Sequence, residues 1–63
     1  MTHTRDYFVH DENKHKVLLS KDGDLEDAVW VDRDAILDMV MTRNVRVFTV
    51  TLPKALAEKR GLL

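Results

Sequence analysis

Cysteine is absent from this chain, and proline, glycine and aromatic residues are scarce. The 63 residues include no cysteine, one proline, two glycines, one tryptophan, one tyrosine and two phenylalanines. Without cysteine, neither a disulfide framework nor a thiolate metal site can stabilise the fold. A chain of about 60 residues buries only about 60% of the surface that its unfolded form exposes. We therefore expect one small domain that depends on good packing or on a partner chain, with a second copy as one candidate partner.

Long apolar runs are also missing. No segment approaches the roughly 20 apolar residues of a membrane-spanning helix. Residues 1–6, Met-Thr-His-Thr-Arg-Asp, lack the basic and then apolar pattern of a signal peptide. We therefore expect a cytoplasmic protein that does not bind membranes.

Residues for covalent catalysis are nearly absent. The chain has a single serine, Ser20, and it has no glycine-rich phosphate loop or nucleophile turn. A typical ligand cavity of about 300 Å³ or more would take up most of the core of so short a chain. The sequence therefore predicts a protein that is not an enzyme and that carries no cofactor.

Potential metal ligands lie in the first 15 residues and in the loop after Ser20. The first group consists of His3, Asp6, His10, Asp11, Glu12 and His15. Their spacing matches no zinc pattern. A calcium loop that begins at Asp22 would have Asp27 at its sixth position, where glycine is required. We expect no metal site, although loose magnesium or calcium binding by Asp24, Asp27 and Asp32 stays an alternative to a solvated loop.

Apolar and turn residues divide the first two thirds of the chain into three elements. Residues 1–15 are polar around Tyr7-Phe8-Val9, which predicts a loose arm that is either disordered or attached to the sheet by a short strand. The apolar runs at residues 16–20 and 27–31 predict a hairpin whose loop uses Gly23 for a positive φ. Residues 32–41 have apolar side chains at spacings of three and four, which predicts a short helix.

The last third predicts a strand that continues directly into a helix. The strand has apolar residues on both faces, which is typical of a central strand; they are Val45, Val47, Phe48, Val50 and Leu52. The helix is predicted to begin at Pro53 and to end at Gly61. The predicted fold class is α+β, with residues 16–63 as one domain. It has a small three-stranded antiparallel sheet starting near residues 16, 27 and 45, a short connecting helix and a C-terminal helix.

Charge is unevenly distributed, although the formal net charge is only −1. Residues 20–40 are acidic, whereas the last segment is basic through Arg43, Arg46, Lys54, Lys59 and Arg60. If these five side chains converge on one face, they can bind the phosphates of a nucleic acid, with Trp30 as a stacking surface. If they do not, they are solvated surface charges. Trp30, between two valines of a predicted strand, is then a core residue.

Two resemblances concern the C-terminal part of the chain. Residues 49–62, Thr-Val-Thr-Leu-Pro-Lys-Ala-Leu-Ala-Glu-Lys-Arg-Gly-Leu, are similar to the strand–Pro–helix–Gly signature of swapped-hairpin DNA-binding domains of the AbrB and MazE type. That resemblance implies DNA binding. Residues 16–63 resemble a group of small bacterial and phage-like proteins in which Val-Trp-Val precedes a terminal strand ending in Leu-Pro-x-x-Leu-Ala-x-x-x-Gly-Leu. This second resemblance implies a shared fold and no established activity.

Binding is the expected function. Apolar residues on both faces of the terminal strand exceed what so small a chain can cover alone. The sequence therefore predicts a non-enzymatic protein–protein interaction module whose partner is another protein or a second copy. The alternative is an accessory or regulatory protein that binds nucleic acid through the basic residues of the last segment.

Overall fold

The structure consists of five antiparallel strands and one short α-helix. The computed structural model describes all 63 residues. The strands are β1 (Thr2–Glu12), β2 (Lys16–Ser20), β3 (Val29–Asp32), β4 (Asp38–Met41) and β5 (Val47–Pro53), and the helix is α1 (Lys54–Lys59). Two 3-10 turns, Leu25–Asp27 and Arg33–Ala35, flank β3. None of the helices has the length and hydrophobicity that are needed to cross a membrane.

The strands form one sheet in the order β3-β2-β1-β5-β4. β3 and β4 are therefore its two edges, yet only residues 33–37 connect them, and three of these residues form a 3-10 turn. Four interstrand spacings of a flat sheet would measure about 19 Å. A connection that contains a 3-10 turn cannot comfortably span that distance. The sheet therefore curls, which brings its two edges towards each other within a molecule of 27 × 23 × 23 Å.

The predicted three-stranded α+β fold with two helices is wrong, because the protein is mostly β. Residues 32–41, predicted as a helix, form the 3-10 turn and then β4, which pairs with β5 along its whole length. A short segment with apolar side chains at positions 36, 37, 39 and 40 fits either a helix or a strand, so periodicity alone cannot decide. Here the neighbouring strand decides, since it supplies the backbone hydrogen bonds.

The fifth strand of the sheet is β1, at residues where polar composition predicted a loose arm. β1 lies at the centre of the sheet, with β2 on one side and β5 on the other. Its even-numbered residues up to Phe8 face outwards, and two of them bond across the sheet: Thr4 Oγ1 lies 2.9 Å from Thr51 Oγ1, and Thr49 Oγ1 donates to Asp6 Oδ1 at 2.6 Å. The polar composition of β1 thus reflects its solvent-facing side, whereas Tyr7 is fully buried on the other side.

The core lies between the inner face of the curled sheet and the C-terminal segment. Its eight buried apolar residues are Tyr7, Val17, Leu19, Val31, Val50, Leu52, Ala57 and Leu62. α1 ends as the sequence predicts, because Gly61 has a φ of 71° and Leu62 N–H donates to the Ala57 carbonyl at 2.7 Å. The hydroxyl of Tyr7 donates to the Leu62 carbonyl, which attaches the chain after α1 to the central strand.

The predicted β2–β3 hairpin and the interior position of β5 are confirmed. Gly23, in the loop between β2 and β3, has a φ of 85°. β5 lies between β1 and β4, as apolar residues on both of its faces indicated. The interpretation of Trp30 as a core residue is wrong, because Trp30 is 37% exposed and Val31 is the buried residue of β3.

Candidate functional site

β4 is an edge strand with unsatisfied backbone groups. Thr42 N–H donates to the Val47 carbonyl at 3.2 Å. Residues of an antiparallel pair alternate between facing the partner and facing away. Because Thr42 bonds to β5, the N–H and C=O groups of Val40 also point towards β5. Those of Met39 and Met41 point away from the sheet. We call the outward backbone groups of Met39 and Met41, together with the side chains around them, the free edge.

Apolar side chains surround the free edge. Half of the exposed large apolar residues of the chain lie within residues 37–45: Leu37 is 57% exposed, Val40 53%, Met41 61% and Val45 75%. Two of these residues belong to β4 itself, Leu37 directly precedes it, and Val45 lies in the connection between β4 and β5. Apolar side chains beside a strand with free N–H and C=O groups are the arrangement to which another strand can add.

One backbone group of the free edge is already bound within the chain. Met39 N–H donates to the carboxylate Oδ1 of Asp38 at 3.0 Å. By the same alternation the N–H and the carbonyl of Met41 both face away from β5, and neither group takes part in the hydrogen bonds of the turns and loops. Asp38 thus protects one donor of β4, and the groups of Met41 stay available.

The opposite edge of the sheet is protected. Arg33 N–H donates to the His15 carbonyl at 2.8 Å, so by the same alternation the backbone of Trp30 faces outwards. The Trp30 carbonyl accepts a hydrogen bond from the guanidinium of Arg60. Lys16 and Asp32 also form an ion pair across β2 and β3, with 3.8 Å between Nζ and Oδ1. On β3 the outward Trp30 carbonyl is therefore occupied, which makes β4 the more open of the two edges.

Comparisons with known proteins add no relative. No protein-family model matches the chain, and no curated protein or solved structure matches it. The two resemblances of the C-terminal segment therefore stay hypotheses.

The five basic residues of the last segment lie in two groups. Arg43 and Arg46 precede β5, whereas Lys54, Lys59 and Arg60 lie in α1 or at its end. The seven residues of β5 separate the groups, and a strand of that length spans about 23 Å. Arg60 is further engaged with the Trp30 carbonyl. The length of β5 thus separates Arg43 and Arg46 from the basic residues of α1.

A cavity of about 600 Å³ opens near the end of β1, and its lining residues are Phe8, Val9, His10, Asp22, Gly23 and Arg46. We call it the His10 cavity. The ladder between β1 and β2 shifts register between Val9 and Asp11, so His10 is the extra residue of a β-bulge. Bulges commonly redirect a side chain. Here the imidazole Nε2 of His10 lies 2.7 Å from the hydroxyl of Ser20.

Ser20 connects the His10 cavity to the sheet. It is fully buried and is the only buried polar residue of the protein. Its hydroxyl accepts a hydrogen bond from Gly23 N–H at 3.0 Å, in addition to its contact with His10. Ser20 therefore fixes both the imidazole and the loop that follows β2.

Replacing Ser20 by alanine should destabilise the protein. The change leaves Gly23 N–H without its acceptor and removes the hydrogen bond to His10, so we expect a loss of about 1–3 kcal/mol in the free energy of unfolding. Urea unfolding followed by circular dichroism measures this loss. The adjacent exposed residue provides a control, because Lys21→Ala should change stability by less than about 0.5 kcal/mol. An unchanged midpoint for Ser20→Ala would show that the hydroxyl does not hold the loop.

Metal ligation receives no support from the geometry. No three His, Asp or Glu side chains come together as a group that could hold a metal ion. In the acidic loop the carboxylates bind nearby backbone groups instead: Asp22 Oδ1 accepts from Asp24 N–H, and Asp24 Oδ1 accepts from Glu26 N–H, both at 3.0 Å. The loop is thus ordered by its own hydrogen bonds.

Sequence reasoning missed both the free edge and the pairing of His10 with Ser20. The sequence shows that residues 37–45 include several apolar side chains. It does not show that β4 is an edge strand, because that depends on the order of the strands in the sheet. His10 and Ser20 are ten residues apart on two strands, so no local motif connects them.

Proposed function

We propose that this protein is a non-enzymatic interaction module of the cytoplasm that binds a second copy of itself by pairing the two β4 strands. The proposal is carried by Met41, whose N–H and carbonyl face away from β5 and are flanked by exposed apolar side chains on an edge strand. The other edge is covered by Arg60. Pairing at β4 would extend the sheet across two copies.

A two-fold symmetric register supports a second copy as the partner. Antiparallel pairing centred on Val40 places Met39 of each copy opposite Met41 of the other. Both of these residues direct their backbone groups outwards, so this register is compatible with the hydrogen-bond pattern of an antiparallel ladder. It also places Val40 of one copy against Val40 of the other. A closed two-fold interface of this kind uses the same surface twice and ends the assembly at a dimer.

The expected affinity is modest. Only four residues of β4 take part directly, so the interface falls at the lower end of the size range of specific interfaces. We expect a dissociation constant of about 10–100 μM. Sedimentation velocity over a concentration series should show a monomer that converts to a dimer.

A proline at position 41 provides the sharpest test. Because Met41 N–H faces away from β5, Met41→Pro removes no hydrogen bond of the folded chain, and proline is tolerated on such edge positions. The variant should remain folded by circular dichroism and stay monomeric at about ten times the wild-type dissociation constant. Leu25→Lys is the matched control, because Leu25 is 63% exposed and Met41 is 61% exposed. This control should dimerise like the wild type.

Removing the protecting carboxylate should act in the opposite direction. Asp38→Ala frees Met39 N–H and removes one negative charge from each side of the interface, so dimerisation should become about tenfold tighter. General destabilisation would not weaken dimerisation in Met41→Pro and strengthen it in Asp38→Ala. A wild-type protein that remains monomeric at about 1 mM would overturn the proposal.

A further inference from the structure

Two opposite charges line the His10 cavity without pairing with each other. Asp22 and Arg46 both belong to its lining. The ion pairs of the protein are Lys16–Asp32 and Glu12–Arg33, so neither charge of the cavity takes part in an ion pair, although the charge of the neighbouring Lys21 also acts on Asp22. Unpaired charges of both signs at one cavity are available to a ligand that carries both signs.

Both charges are attached to fixed backbone. Asp22 Oδ1 accepts a hydrogen bond from Asp24 N–H at 3.0 Å, and this bond lowers the pKa of the Asp22 carboxyl from its ordinary value. Arg46 N–H donates to Asn44 Oδ1 at 3.0 Å, and the Arg46 carbonyl accepts from Val9 N–H at 2.8 Å. A ligand would therefore not have to order these backbone segments on binding.

Part of the wall of the cavity is apolar. Phe8 and Val9 are its two hydrophobic lining residues. Gly23 closes one side, since a Cβ at this position would lie 3.5 Å from the ring of Phe8. The volume of about 600 Å³ lies within the range of about 300–1,000 Å³ that is typical of small-molecule sites.

We propose that the His10 cavity binds a zwitterion of the α-amino-acid class that has an apolar side chain. The ligand carboxylate pairs with the guanidinium of Arg46, the ammonium pairs with the carboxylate of Asp22, and the side chain lies against Phe8 and Val9. His10, oriented by Ser20, supplies a further polar contact. A simple anion would face the charge of Asp22 and a simple cation would face Arg46, so the charge pattern favours a ligand with both groups.

A titration with phenylalanine and two blocked derivatives tests this proposal. Phenylalanine added to the protein should shift the amide resonances of residues 8–10, 23 and 46 at about 1–10 mM. N-acetylphenylalanine lacks the ammonium and phenylalanine amide lacks the carboxylate. Each should bind at least about tenfold more weakly, because each loses one charge-assisted hydrogen bond. Equal binding of either derivative would overturn the zwitterion proposal in favour of a plain anion or cation site.

Variants identify the two charges. Arg46→Gln and Asp22→Asn should each weaken phenylalanine binding about tenfold. The asparagine keeps an Oδ1 for Asp24 N–H, so the loop should stay in place. Arg43→Gln is the matched control, because Arg43 is exposed in the same connection and does not line the cavity; its affinity should be unchanged. No shift of these resonances at about 10 mM phenylalanine in the wild type would overturn the proposal outright.

Discussion

Replacing Leu52 by alanine should bring the protein close to unfolding. Leu52 is fully buried in β5, in the core that the sheet shares with Ala57 and Leu62. A buried leucine that becomes alanine costs about 2–5 kcal/mol, because transfer energy is lost and a cavity remains. A domain of this length has a total stability of roughly 3–9 kcal/mol at the usual 0.05–0.15 kcal/mol per residue. One substitution can therefore remove most of it.

Urea unfolding monitored by circular dichroism measures the effect of Leu52→Ala. Leu25→Ala is the control, because Leu25 is 63% exposed and belongs to a 3-10 turn outside the core. This change should alter stability by less than about 0.5 kcal/mol. If both variants unfolded at the same urea concentration, Leu52 would not be a core residue.

Alkaline pH should unfold the protein through Tyr7. Burial raises the pKa of the Tyr7 hydroxyl above its ordinary value of 10.0, and the charge of Arg5 opposes this only in part. The unfolded chain therefore loses this proton at a lower pH than the folded protein does. Stability is fully present below about pH 10 and is lost as the pH rises through the folded pKa.

The single tyrosine of the chain makes this prediction easy to follow. The ultraviolet absorbance of phenolate should appear together with unfolding and above the ordinary pKa. Tyr7→Phe provides the comparison: it should cost about 1–2 kcal/mol at neutral pH, because the Leu62 carbonyl loses its donor. The same variant should lose less stability between about pH 9 and 11 than the wild type does. Parallel pH profiles for the two proteins would contradict the assignment.

Local signals were sufficient for the parts of the fold that depend on local structure. Gly23 adopts the positive φ that the sequence predicted, and Gly61, with a φ of 71°, lies at the predicted end of α1. Pro53 immediately precedes α1, although it is the last residue of β5 and not the first residue of the helix. Such features depend on a few neighbouring residues, and they can therefore be predicted from the sequence.

Strand status could not be predicted where long-range pairing decides it. β1 is held by neighbours on both sides, so its backbone is satisfied although much of its composition is polar. Threonines at positions 2 and 4, before Tyr7 and Val9, were the available signal, since β-branched and aromatic residues favour strands. In β4, Met39 and Val40 fit a helical spacing equally well. Only the pairing with β5 distinguishes the two structures.

In the candidate sites, too, single residues could be selected from the sequence, whereas their neighbours in space could not. Arg46 could be selected by its charge, but its neighbours Asp22 and Phe8 come from other strands and loops. The protection of Trp30 by Arg60 joins residues that are 30 positions apart. The tertiary arrangement decides whether a basic residue faces a ligand or covers a strand edge. The charge of the residue alone does not predict this.

The pairing of β1 with β5 has a consequence for folding kinetics. This ladder runs from Thr2 opposite Pro53 to Phe8 opposite Val47, and it alone joins the β2–β3 hairpin side of the sheet to the β4–β5 side. Each hairpin can form from neighbouring residues, but the centre of the sheet requires the closure of a loop that contains at least residues 9–46. Proteins dominated by such distant pairings fold in about milliseconds to seconds. Two half-sheets with exposed inner edges should therefore exist transiently before the central ladder closes.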